Sequence, residues 1–132
     1  MRSIRKHVAM ESPAETVRAF FAKCEEPGAI EQAYRDYFTA ETVFENVGLV
    51  TTTGPDEAVA LIANSPMKGV RVELLAVAEA GDKVLTERID HLFGAEGAEV
   101  HTLRVMGIFE VANGRIAAWR DYFDTVPFRQ AH

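Results

Sequence analysis

The ten residues Lys83-Val84-Leu85-Thr86-Glu87-Arg88-Ile89-Asp90-His91-Leu92 read as a β-strand that carries a charged pair where core residues belong. Side chains alternate across a strand, so Val84, Thr86, Arg88, Asp90 and Leu92 share one face. A guanidinium and a carboxylate two residues apart therefore project the same way. On a solvated sheet face they form an ordinary surface ion pair. In a closed cavity they are desolvated and must find partners, and such a cavity is where paired charges do chemistry.

Working outward, the chain supplies a sheet for this strand. Val70 to Glu79 is strand-like, and Gly81-Asp82 turns it into the Lys83 to Leu92 strand. Gly94 to Gly97 forms the next turn, and a long strand runs from about Glu99 to Val111. Asn113-Gly114 then returns the chain into Ile116 to Phe123. Earlier, Thr42 to Val47 reads as a strand with Phe44 and Asn46 on one face. Asn46 there is an amide in need of a partner, or a turn residue, since Gly48 follows. Thr51 to Gly54 reads as a loop, Pro55-Asp56-Glu57 starts a short helix through about Ile62, and Asn64-Ser65-Pro66 ends it.

Two helices precede the strands. Ser12-Pro13-Ala14-Glu15 carries the marks of a capped start, with Ser12 as cap, Pro13 at the first helical position and Glu15 closing a capping box. Val17, Phe20, Phe21 and Cys24 follow at helical spacing as one apolar stripe. Pro27-Gly28 breaks this helix, and Ile30, Ala33, Tyr34, Tyr37 and Phe38 repeat the period in a second. Cys24 reads as core, and Tyr34 and Tyr37 as packing residues with hydrogen-bonded tips. Helices followed by four or five antiparallel strands define an α+β domain: a curved mixed, mainly antiparallel sheet wrapped around N-terminal helices, with a cone-shaped pocket between them. No βαβ alternation and no glycine-rich phosphate loop is present, which argues against a dinucleotide fold.

Composition narrows the class. The 132 residues suffice for one domain spanning 1–132, and 48% hydrophobic with 26% charged residues is a globular balance. A net charge of −6 with no basic cluster argues against a nucleic-acid surface. Cys24 is the single cysteine, so no internal disulfide forms, and no Cys/His cluster has zinc spacing. Met1 to His7 is basic but leads into no apolar run, so neither a secretory signal nor a membrane segment is expected, and a cytoplasmic location follows.

The last strand, Trp119-Arg120-Asp121-Tyr122-Phe123-Asp124, adds a second carboxylate. Trp119, Asp121 and Phe123 share a face, so Asp121 is flanked by aromatics, and desolvation there raises its basicity. Its alternative is a rim position paired with Arg120 or Arg115. Asp121 is expected opposite Val105 if the Asn113-Gly114 turn is a three-residue loop, or opposite Met106 if it is a two-residue loop.

Together, Thr86-Glu87-Arg88-Ile89-Asp90, Phe44-Glu45-Asn46 and Trp119-Arg120-Asp121-Tyr122-Phe123-Asp124 resemble the limonene-1,2-epoxide hydrolase family, over about Thr42 to Phe128 and with the spacing between motifs kept. The resemblance implies a cystatin-like α+β cone, a homodimer, and no metal or organic cofactor. It also implies roles. Asp90 matches a general acid on the epoxide oxygen, Asp121 the base that activates water, Arg88 the bridge between them, and Asn46 the amide that orients the water. The family's water site also uses a tyrosine hydroxyl, and the matching residue here is Phe44. A missing hydrogen bond to the nucleophile lowers the rate, unless Tyr34, Tyr37 or a threonine of Thr51 to Thr53 supplies it.

Two other classes use the same cone. Ketosteroid isomerase and SnoaL-like polyketide cyclase proteins move a proton beside a carbonyl, and the isomerase base falls near Asn46, which as an amide cannot take that role. A non-catalytic binder of apolar ligands or a dimerisation module keeps the pocket without needing the arginine and both acids. Phe44, Leu92, Leu103, Val105, Trp119, Phe123 and Phe128 form the expected lining, which implies an apolar small-molecule substrate. His91 alternates away from Asp90, His101 shares the face of Leu103 and Val105, and His7 and His132 are expected to be solvated near the termini.

Overall fold

The computed structural model describes residues 11–129; the basic N-terminal segment, His7 and His132 lie outside them. Helix α1 spans Pro13–Glu25, with the expected capping box formed: Glu15 N–H donates to Ser12 Oγ at 3.1 Å and Ser12 N–H to Glu15 Oε1 at 2.9 Å. Helix α2 spans Ile30–Tyr37. Phe38, expected at the end of this helix, instead opens strand β1, Phe38–Asn46, where its ring still packs against Tyr34.

Six strands form one sheet in the order β2-β1-β6-β5-β4-β3. Besides β1 they are β2 (Val50–Thr53), β3 (Gly69–Ala80), β4 (Lys83–Phe93), β5 (Glu99–Ala112) and β6 (Arg115–Tyr122), with α3 (Gly54–Ala63) between β2 and β3. The stretch expected as a loop at Thr51 to Gly54 is therefore mostly strand. Its three threonines are β-branched, and a tight turn at Gly48 folds them back on β1, pairing Phe44 with Thr52. Neighbouring strands run antiparallel except β1 and β6, which are parallel and pair Asn46 with Asp121. The sheet edge at β3 is held by α1: Val72 N–H donates to Glu25 Oε2 at 2.7 Å, and Glu79 Oε2 accepts from Ala14 N–H at 2.8 Å.

Between β5 and β6 the register departs from both sequence expectations. Asn113 and Gly114 both take positive φ (52° and 73°), the two-residue turn that would set Asp121 opposite Met106. A bulge intervenes, because Val111 pairs with Ile116 but Glu110 pairs with Ala118. Asp121 is thereby moved one place, to lie opposite Gly107. The same bulge lets both Ile116 and Trp119 face the core, which strict alternation forbids.

The core gathers between α1, α2 and the sheet. Phe20, Phe38, Phe109 and Trp119 are buried there in edge and stacked contacts, with Phe20 and Trp119 centroids 5.3 Å apart. No helix among the described residues is long and apolar enough to cross a membrane.

Candidate active site

Strand β4 behaves as its alternation requires: Val84, Thr86, Arg88 and Asp90 are buried while Leu85 and Glu87 are exposed. Arg88 is 1% exposed and ranks among the largest fully buried side chains of the described residues. Its five N–H donors are all used. Nε and Nη2 donate to Asp90 Oδ1 and Oδ2 at 3.0 and 2.8 Å, and Nη1 and Nη2 donate to Asp121 Oδ1 and Oδ2 at 3.0 and 2.8 Å. The fifth hydrogen goes from Nη1 to Thr86 Oγ1 at 3.1 Å. The Thr86 hydroxyl in turn donates to the carbonyl of Gly107 at 3.2 Å. Phe21, from α1, caps the guanidinium with its ring centroid 5.0 Å from Cζ.

The arginine thus spans two carboxylates from different strands with a fork on each side, a geometry that a lysine could not reproduce. Burial alone would depress the Arg88 pKa, but Asp121 and Asp90 more than reverse that and keep it charged. Burial raises the proton affinity of Asp121, opposed by Arg88 and by Trp119, whose Nε1–H donates to Asp121 Oδ1 at 2.7 Å. Asp121 Oδ1 therefore accepts two hydrogen bonds and Oδ2 one, which leaves Oδ2 able to accept another. Arg120 and Arg115 do not pair with Asp121; they bind Glu110 and the Phe38 carbonyl.

These groups open onto a cavity of about 300 Å³ between the sheet and the helices. Asn46, Asp90 and Asp121 line it, together with Phe44, Leu92, Leu103 and Val105. Trp119, Phe123 and Phe128 line it too; of the set named from sequence Arg88 alone is not part of the lining, and it reaches the cavity through the two carboxylates that it holds. Phe44 stacks on Trp119 with centroids 3.9 Å apart and planes at 9°, a consequence of their direct pairing across the parallel β1–β6 ladder. Asn46, two residues on, is set beside Asp121 by the same ladder, and its side-chain amide has no hydrogen-bond partner among the described residues.

Several contributors escaped the sequence. Ile62, Met67 and Val72 close the wall from α3, the turn after it and β3. Nothing in local periodicity ties those segments to Asp121. His101 lines the cavity and packs on Phe128 at 4.6 Å between centroids. Gly107 has no side chain to read, yet a β-carbon there would lie 2.4 Å from both Arg88 Nη1 and Asp121 Oδ1. Of the hydroxyls named as substitutes at the Phe44 position, Thr52 instead turns to the Phe44 carbonyl at 3.5 Å and Tyr37 packs edge-on against Phe20 outside the cavity. Tyr34 lines the cavity. Cys24 also reaches it, but burial pushes its thiol pKa well up, so it is a protonated core residue and not a nucleophile.

Fold and site define an α+β cone with a buried Asp-Arg-Asp bridge at the head of an apolar cavity. The chain belongs to the limonene-1,2-epoxide hydrolase family, whose catalytic-domain profile matches residues 11–131. It is 37% identical over 89 residues to epoxide hydrolase EphG of Mycobacterium tuberculosis, a match covering 64% of this chain and 56% of that protein. The structure of an M. tuberculosis limonene-epoxide-hydrolase-like epoxide hydrolase superposes with a TM-score of 0.72 at 30% identity, covering 86% of this chain and 83% of the other. A SnoaL-like polyketide cyclase structure from Jannaschia superposes at 0.71 with 16% identity, over 97% of this chain and 94% of the other, and shares the fold alone.

Proposed function

We propose that this protein, as a single domain, adds water directly to an apolar epoxide and releases a vicinal diol, without a metal or organic cofactor. The observation that carries the proposal is the Arg88 bridge. One buried cation cannot offset two buried anions, so the triad is neutral when a single proton resides on the carboxylate pair. An acid and a base of the same residue type then work side by side.

Asp121, in its ionised form, accepts a proton from water through its free Oδ2 position as the water oxygen attacks an epoxide carbon. Burial strengthens that base. The carbon–oxygen bond breaks, and Asp90 delivers its proton to the departing oxygen. Asn46, beside Asp121 on the next strand, orients the water. Arg88 holds both acids at fixed separation and stays charged throughout. After one turnover Asp121 carries a proton and Asp90 lacks one; exchange with solvent at the mouth of the cavity resets the pair. No covalent intermediate is needed.

The lining indicates the substrate class. Phe44, Leu92, Leu103, Val105, Phe123 and Phe128 offer apolar surface, and about 300 Å³ is room for a small cyclic or aryl epoxide. The test is turnover of such a panel in labelled water. Label in the diol after a single turnover, with loss of diol formation in Asp121→Asn and Asp90→Asn, supports direct hydrolysis. A first-turnover oxygen that comes from the protein refutes it.

A homodimer is proposed through the outer sheet face, where Leu75, Leu85, Met106 and Tyr122 are exposed across β3 to β6. Sedimentation of the native protein and of Met106→Glu tests it: the native chain should sediment as a dimer and the variant as a monomer.

A further inference from the structure

Tyr34 is 4% exposed and fixed by its neighbours, stacked on Phe38 at 5.1 Å and set edge-on to Phe44 at 6.1 Å between centroids. Its phenol lines the cavity that holds Asn46, Asp90 and Asp121. Among the described residues the hydroxyl has no hydrogen-bond partner. Buried phenols normally find a partner, because an unsatisfied hydroxyl loses its water contacts for nothing in return. Burial, and after it Cys24, Asp121 and Asp90, keep the Tyr34 proton firmly bound, so the group is a neutral phenol able both to donate and to accept.

The water in the proposed reaction sets a matching requirement. One of its hydrogens goes to Asp121 and one lone pair goes to the epoxide carbon. The other lone pair and the other hydrogen remain. Asn46 satisfies one of these, as donor or as acceptor, and a second protein group is required for the other. Phe44 has no polar atom to offer, and the Thr52 hydroxyl is turned to a backbone carbonyl. We infer that Tyr34 is the third water-positioning residue, its hydroxyl reaching from α2 to hold the nucleophilic water together with Asn46 and Asp121. This inference rests on the hydrolytic reading of the site. It places the missing phenol on α2, whose Tyr34 ring packs edge-on against Phe44 of β1.

The test is steady-state kinetics of Tyr34→Phe and of Tyr34→Phe combined with Phe44→Tyr on a cyclic epoxide, with thermal unfolding of each variant. Tyr34→Phe should lower kcat by roughly 10- to 100-fold with KM changed by less than about 2-fold, while the unfolding temperature holds. Adding Phe44→Tyr should recover most of kcat, because it returns a phenol to the same water from β1. A native protein that forms diol beside a Tyr34→Phe variant of unchanged kcat overturns the inference and leaves the hydrolase reading intact. A fall in kcat that tracks a fall in unfolding temperature and is not rescued assigns Tyr34 to packing and also overturns it. A native protein that forms no diol from any epoxide of the panel removes the hydrolase reading and the Tyr34 role together.

Discussion

Gly107 lies directly opposite Asp121 across the β5–β6 ladder, and the space its side chain would fill is occupied by the Asp121 carboxylate and the Arg88 guanidinium. A β-carbon would stand 2.4 Å from an oxygen of one and a nitrogen of the other, well inside any real contact. The ion bridge is thus built over a missing side chain.

Gly107→Ala should therefore damage the site more than the fold. Overpacking costs about 1–3 kcal/mol, whereas a bridge displaced by about 1 Å lowers the rate on the order of 100-fold. Urea unfolding and epoxide turnover measured on the same preparation check this. Retained turnover would mean that the bridge tolerates displacement.

Arg88→Met should cost stability as well as activity. Removing one partner from a buried ion pair is destabilising by about 3–5 kcal/mol, and here it leaves two carboxylates facing one another. Acid protonates them, so the deficit relative to the native protein should shrink as pH falls. Unfolding curves at neutral and at acidic pH read both effects. A deficit that does not vary with pH would place the damage in lost packing.

For the proposed hydrolysis, the rising limb of the pH profile follows from Asp121. Burial raises its proton affinity, so the ionised base appears above the ordinary carboxylate range, and kcat/KM should climb with pH through that raised value and fall again where the pair loses its shared proton. The Trp119 hydrogen bond opposes the rise. Trp119→Phe should accordingly move the midpoint to higher pH. Rates measured from about pH 4 to pH 8 bracket the transition, and a midpoint moving downward would contradict the assignment.

On the outer face, His91 Nε2 meets Glu73 Oε1 at 2.7 Å and Nδ1 meets Glu99 Oε2 at 2.8 Å. The hydrogen bonds to Glu73 and Glu99 raise the His91 pKa. A histidine whose folded pKa is raised contributes stability in full below its unfolded value of about 6.5, and that contribution fades as pH climbs through the folded value. His91→Gln should flatten the stability profile on that side. Thermal unfolding across about pH 5 to pH 9 checks it, and a native profile that does not fall with rising pH would rule the linkage out.

Much of the candidate site was legible because its information is local and periodic. Alternation alone placed Arg88 with Asp90, Trp119 with Asp121, and Phe44 with Asn46 on inward faces. The capping box at Ser12 and Glu15 located α1 to the residue. What escaped was non-local or unusual in geometry. Helical spacing carried Phe38 into α2, although the chain turns there into β1. Three threonines before Gly54 looked like a loop because only their pairing with β1 makes them a strand.

By itself the sequence determined which residue types face inward on each strand, since a period of two depends on nothing beyond the strand. It also limited the cavity to an apolar wall with two acids and one arginine. Only the tertiary structure decided which of those groups meet. The β6 bulge moves Asp121 from Met106 to Gly107, and one residue of register separates an open ion bridge from a steric clash. The parallel pairing of β1 with β6, strands far apart in the chain, seats Asn46 beside Asp121. Tyr34 has the spacing of a packing residue. Its hydroxyl gains meaning from the cavity it enters, because hydrogen bonding depends on which groups lie within about 3 Å, and three-dimensional packing sets those distances.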